Sequence, residues 1–111
     1  MRLRADFWVA AYIRRCESEG AFAVLRRRGA AEAGAIFVKL DCLDGRAALF
    51  APAPQSESGD GVDRVFARAH KQDWLEPLEI EVRLAKEIRF DPDLWLVEVE
   101  DRAGRCFLDL V

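Results

Sequence analysis

Between Asp6 and Glu19 the apolar residues Trp8, Val9, Tyr12, Ile13 and Cys16 recur at helical spacing, while Arg14, Arg15, Glu17 and Glu19 decorate the other faces. This 3.6-residue period predicts an amphipathic helix with Asp6 as its cap and Gly20 as its stop. The period then shortens. Phe22 to Arg28 reads as a strand ended by Gly29, and the small residues from Gly29 to Gly34 read as a connector. Ala35–Cys42 and Arg46–Ala51 predict two strands joined across Asp44-Gly45, a two-residue hairpin signal. Setting Leu43 opposite Arg46 pairs Cys42 with Ala47, Leu40 with Leu49 and Val38 with Ala51, which keeps apolar or small residues on one face.

Pro52 to Asp63 holds two Pro, two Ser and two Gly and predicts a mobile loop. Val65–His70 reads as a short strand resuming the sheet. Residues 77–89 carry both an alternating pattern (Leu78, Ile80, Val82, Leu84) and a helical stripe (Ile80, Leu84, Ala85, Ile88). Composition decides for the helix: Pro77 suits a first turn, and Glu, Arg, Lys, Leu and Ala fill the rest. Glu76, Glu79 and Glu81 at its start and Lys86 and Arg89 at its end complement the helix dipole. Asp91-Pro92 stops it. Leu94–Glu100 and Arg105–Leu110 predict a last hairpin around a four-residue loop, which sets Glu100 against Arg105.

The pattern therefore predicts an α+β fold of one domain over residues 1–111. Its expected order is α-β-β-β-(β)-α-β-β, with an antiparallel sheet of five or six strands and two helices on one face. The other sheet face would carry Phe37, Phe50 and Phe107 among Lys39, Asp41, Glu98 and Arg105. Three Phe on an uncovered face invite a second subunit, so a homodimer or another protein partner is the expectation.

Composition narrows the class. At 111 residues, with 51% hydrophobic and 33% charged residues, the chain suits a single folded domain and excludes disorder over most of its length. No apolar run approaches the roughly 20 residues of a membrane helix, and charged Arg2, Arg4 and Asp6 interrupt any signal-peptide core. The net charge of −3 hides a gradient of +3 over residues 1–56 and −6 over residues 57–111. A negative total argues against a nucleic-acid partner. Cys16, Cys42 and Cys106 show no paired spacing, and His70 is the single histidine. Thiols in or beside apolar patterns fit a reducing, cytoplasmic setting, and this set argues against the usual zinc sites; no cofactor is expected.

Three clusters could carry chemistry. Asp91, Asp93, Glu98, Glu100 and Asp101 form an acidic group that could hold a divalent ion or act as an acid–base pair, although the spacing matches no calcium loop. Arg26 and Arg28, on one side of a strand, could grip an anion or an RNA phosphate. His70 could serve as a base if Asp73 oriented it. Beside each stands a plainer role: Asp91 and Asp93 as turn residues, the arginines as charges guarding an edge strand, and His70 as a strand end.

Three separated blocks bear a resemblance to a known family. They are Asp6-Phe-Trp-Val-Ala-Ala-Tyr12 through Gly34-Ala-Ile-Phe-Val-Lys39, then Ala51-Pro-Ala-Pro-Gln-Ser56, and Glu87-Ile-Arg-Phe-Asp-Pro-Asp-Leu-Trp95 leading into Glu98-Val-Glu-Asp-Arg102. In this order they resemble a family of short, single-domain alphaproteobacterial proteins of unknown function, along the whole chain apart from Glu57–Val62. The resemblance implies a bacterial cytosolic origin and carries over no catalytic residue. With no convergent catalytic set, the expected role is a non-enzymatic interaction module. A small enzyme or ion binder using Asp91–Asp101, and an anion or RNA contact through Arg26 and Arg28, are the alternatives.

Overall fold

The computed structural model describes residues 3–54 and 64–111. Its elements are α1 (Ala5–Ser18), β1 (Phe22–Arg27), β2 (Ile36–Asp41), β3 (Ala47–Pro52), β4 (Phe66–Arg68), α2 (Pro77–Phe90) and β5 (Trp95–Glu100). The strands form one sheet in the order β1-β5-β2-β3-β4, in which β5 runs parallel to β2 and the other pairings are antiparallel. The fold is thus α+β with a mostly antiparallel sheet, as the residue pattern predicted. Most of the predicted loop, residues 55–63, lies outside the described residues.

The helices do not share a face. Val9, Tyr12 and Cys16 of α1 pack with Ile36, Val38, Leu40, Phe50, Val97 and Val99, whereas Ile80 and Leu84 of α2 pack with Phe37, Leu49, Leu94 and Leu96. Successive side chains of a strand point to opposite faces, so the two groups lie on opposite sides of the sheet. The physical reason is visible in the central strands: residues 36–40 of β2 and 95–97 of β5 are buried without alternation. Such continuous burial marks a strand covered on both faces.

The β2–β3 turn differs by one residue from its prediction. Leu43 adopts φ 63° and Gly45 φ 93°, and the Cys42 N–H donates to the Arg46 carbonyl at 2.9 Å. Leu43-Asp44-Gly45 therefore forms a three-residue loop, and Val38 pairs with Phe50, Lys39 with Leu49 and Leu40 with Ala48. Leu49 turns toward α2 and Phe50 toward α1.

The predicted last hairpin does not form. Asp101 takes the partner expected for Glu100: its carboxylate accepts the Arg105 backbone N–H at 2.8 Å and pairs with the guanidinium at 2.8 Å. The Tyr12 hydroxyl donates to the Cys106 carbonyl at 2.7 Å, and Phe107 turns through φ 58°. The tail then packs Cys106, Phe107 and Leu108 against the α1-side core. Its backbone joins the sheet through a parallel bridge from Leu110 to Phe66.

Asp6 is not the cap of α1, which starts one residue earlier. The Ala5 and Asp6 N–H groups donate to the Glu32 and Ala31 carbonyls at 3.0 and 2.9 Å, so the connector supplies the acceptors. The connector is held in turn by Trp95, whose Nε1–H donates to the Ala30 carbonyl at 2.7 Å. A Cβ at Gly29 or Gly34 would stand 2.2 or 2.5 Å from the Asp93 carbonyl oxygen, which explains glycine at both ends of this close approach.

Candidate functional site

Charged residues converge on the α2 side of the sheet. Lys39 sits in the middle of β2 with its side chain 7% exposed, and its Nζ lies 2.6 Å from Glu81 and 3.8 Å from Glu98. Arg26 of β1 makes a fork of two bonds to Glu81, at 2.7 and 2.8 Å, and reaches Glu98 at 3.0 Å. Two cations thus share two carboxylates, and α2 is tied through Glu81 to both β1 and β2. The Arg26 bonds, with Lys39 next, pull the Glu81 carboxyl down to about 2, while the same pairing raises the Arg26 guanidinium above its ordinary value. A burial cost opposes the network, and the reciprocal hydrogen bonds offset it.

Of the sequence-predicted site residues, the fold brings Arg26 and Glu98 together and separates the rest. A bulge between Leu25 and Arg27 breaks the alternation of β1. Arg28 lies 5.3 Å from the ring centre of Trp95, a core residue of the α1 side, so Arg26 and Arg28 do not form one anion clamp. Asp93 is exposed, its backbone N–H bonded to Asp91 Oδ1 at 3.1 Å. The acidic group is dispersed: Glu98 faces Arg26 and Lys39, and Asp101 faces Arg105. Among the described residues no group of three or more His, Cys, Asp or Glu side chains is arranged to hold a metal ion.

His70 completes the sheet. Its Nε2 accepts the Leu49 N–H at 3.1 Å, and its Nδ1 lies 2.8 Å from the Gln72 carbonyl. The first bond requires an unprotonated Nε2 and the second a proton on Nδ1, so the ring is the neutral Nδ1–H tautomer. Burial, the main cause, pushes its pKa below the ordinary value. The imidazole thereby fills the ladder between Ala69, whose N–H reaches the Leu49 carbonyl, and Leu75, which bridges Ala47.

Phe37, Phe50 and Phe107 do not form a surface. Phe37 is buried beneath α2, Phe50 is buried on the α1 side, and Phe107 packs half-buried against the α1-side core. A cavity of about 280 Å³ between α1 and the tail is lined by Trp8, Tyr12, Arg15, Arg64, Phe107 and their neighbours, and contains none of Arg26, Arg28, His70, Asp93 or Glu98. Sequence reasoning missed Glu81, whose place in the first half of a helix reads as dipole complementation. The available signal was Lys39, a cation within an apolar strand run that demands a buried partner.

The architecture defines a small α+β domain whose mixed sheet is covered by a helix on each face and braced by a four-residue charge network. The chain belongs to the family described as protein of unknown function DUF1491, whose model matches residues 3–109. It is similar to a DUF1491 protein of Caulobacter crescentus CB15 solved by crystallography, with 38% identity over 100% of this chain and 99% of that one and a TM-score of 0.82. A protein of A. tumefaciens solved in solution is 42% identical, over 100% of this chain and 96% of that one, with a TM-score of 0.86. A comparison with curated proteins returns no match. Among the described residues no helix is long and apolar enough to cross a membrane.

Proposed function

We propose that this chain is a non-enzymatic protein-interaction module that works by contact where β1 and α2 meet. One observation carries the reading: the polar groups here are turned onto one another while apolar neighbours are turned out. Arg26, Lys39, Glu81 and Glu98 satisfy each other. Beside them, Phe22 and Val24 of β1 are 56% and 41% exposed, and Leu78 of α2 is 74% exposed. The Arg26–Glu81 bond links these elements, with Val24 two residues from Arg26 and Leu78 one helical turn before Glu81. Apolar side chains held out by a rigid bridge suit a protein surface better than a dissolved substrate. The same proposal places the module in the cytoplasm, a reading supported by three cysteines standing as free thiols.

Photo-crosslinking in bacterial cells tests it. A photoreactive residue at position 22, 24 or 78 is expected to give discrete adducts, and one at Arg14, on the exposed side of α1, is expected to give none. Absence of adducts from all three positions overturns the reading.

A further inference from the structure

Two neighbouring rows of side chains cross the α2 side of the sheet, and their charges are balanced differently. In the first, Val24 of β1 lies beside Glu98 of β5, and Glu98 beside Lys39 of β2. There Glu98 meets Arg26 and Lys39, and Glu81 closes the network. Two residues along each strand, Phe22 lies beside Glu100, and Glu100 beside Asp41. Residues two apart on a strand share a face, so this second row stands on the same side as the network.

The second row lacks a cation. Neighbouring strands are about 4.8 Å apart, so Asp41 and Glu100 stand side by side, and like charges so placed repel. Among the described residues neither carboxylate forms an ion pair. Asp41 Oδ1 accepts the Leu43 N–H at 2.8 Å, a bond that leaves the charge in place. Asp44 and Asp101 have partners of their own in Arg46 and Arg105.

Apolar side chains border this row. A groove of about 460 Å³ over the end of β5 is lined by Phe22, Leu43, Glu100 and Arg102 among others. Phe22 is 56% and Leu43 43% exposed. Arg102 also forms no ion pair among the described residues, so two carboxylates stand here against one guanidinium and the excess charge is negative.

Resting on the interaction-module reading, we propose that this groove takes a basic segment of a partner protein. A Lys or Arg side chain of the partner sits beside Asp41 and Glu100, and a bulky apolar neighbour sits between Phe22 and Leu43. The incoming cation gives this row what Lys39 and Arg26 give the other: charge-assisted hydrogen bonds and an end to the repulsion. The apolar neighbour covers side chains that now meet water. An acidic segment is rejected by the same two carboxylates.

Titration of the ¹⁵N-labelled full chain with capped dipeptides tests the proposal. The probes are N-acetyl-Leu-Arg-amide and N-acetyl-Arg-Leu-amide, with N-acetyl-Leu-Glu-amide and N-acetyl-Ser-Arg-amide as controls. At least one basic probe is expected to move the amide signals of Phe22, Leu43, Glu100 and Arg102 saturably, with a Kd on the order of millimolar. The acidic control is expected to move none, and the Ser control to bind about threefold more weakly. Glu100→Gln and Asp41→Asn are each expected to weaken the basic probe about threefold. Both remove repulsion, so their urea midpoints are expected to hold or rise, which separates lost binding from lost folding. Absence of any shift overturns the proposal, as does equal binding of the acidic control or basic binding that neither substitution weakens. A fall in both midpoints also overturns it, because the carboxylates would then serve the fold. If no probe moves the groove yet positions 22, 24 or 78 give adducts in cells, the groove fails and the interaction module stands. If the adducts are missing as well, both fail.

Discussion

Glu81→Gln should be the most informative single change in the charge network. It keeps the shape of the side chain and removes its charge. Lys39, 7% exposed, is then left with only Glu98 at 3.8 Å, which Arg26 also claims. Breaking a fully buried ion pair costs about 3–5 kcal/mol. Arg26 and Glu81 are each 34% exposed at the side chain, so solvent screening reduces the expected loss to about 2–3 kcal/mol. Lys39→Met removes the desolvated cation but leaves Arg26 on both carboxylates, and should cost about 1 kcal/mol. The double variant leaves Arg26 balanced by Glu98 and should recover about 1.5 kcal/mol relative to the sum of the singles. Urea unfolding with unchanged slopes measures all three. The pH dependence supplies an independent check. Glu81 is held at about 2, below its ordinary 4.5, so the unfolded chain binds more protons between those values. Its stabilisation is complete above about pH 4.5 and is lost as pH falls through 2, and Glu81→Gln should remove that slope. A loss below about 0.5 kcal/mol with an unaltered acid profile would refute the reasoning.

Four further outcomes follow from local geometry. Gly34→Ala forces a Cβ to 2.5 Å from the Asp93 carbonyl oxygen and should cost about 2–3 kcal/mol in urea unfolding. Gly20→Ala, at φ 92° in open space, should cost about 1 kcal/mol through backbone strain alone. Tyr12→Phe removes the 2.7 Å bond to the Cys106 carbonyl and should cost about 1–2 kcal/mol, with faster hydrogen exchange along residues 105–111. His70, whose pKa burial lowers, should contribute stability that is complete above about pH 6.5 and is lost as pH falls through its depressed folded value. Imidazole ¹⁵N shifts titrating at or above that ordinary value would contradict the assignment.

The helices were legible because a 3.6-residue period and terminal signals such as Pro77 act locally. Sheet order was not, because nothing local sends the strand after α2 into the middle of the sheet. That placement follows from the demand of β2 and β5 for cover on both sides, and the hint was the apolar stretches Ile36-Phe37-Val38 and Trp95-Leu96-Val97. The tail misled for a related reason. Arg105 to Leu110 alternates acceptably as a strand, yet the Asp101–Arg105 clasp and the Tyr12 hydroxyl draw it across the α1 side. Both forces come from residues with stronger claims than a hairpin register. Within the site, Arg26 and Glu98 were visible as charges on strands, whereas Glu81 needed the packing of α2 to bring it 2.6 Å from Lys39.

The shift in the β2–β3 turn had the widest consequence for function. A two-residue loop would have set Leu40 against Leu49 and left Phe37 and Phe50 on one open face. Leu43 at φ 63° adds a residue to the turn, and a slip of one residue exchanges the faces of a whole strand. Phe50 then enters the core with Val38 and Leu40, while Leu49 joins Phe37 beneath α2. The apolar surplus that suggested a sheet-face dimer is in fact two cores. Within the strands, the large apolar side chains that stay exposed are Phe22 and Val24 of β1, where α2 no longer covers the sheet.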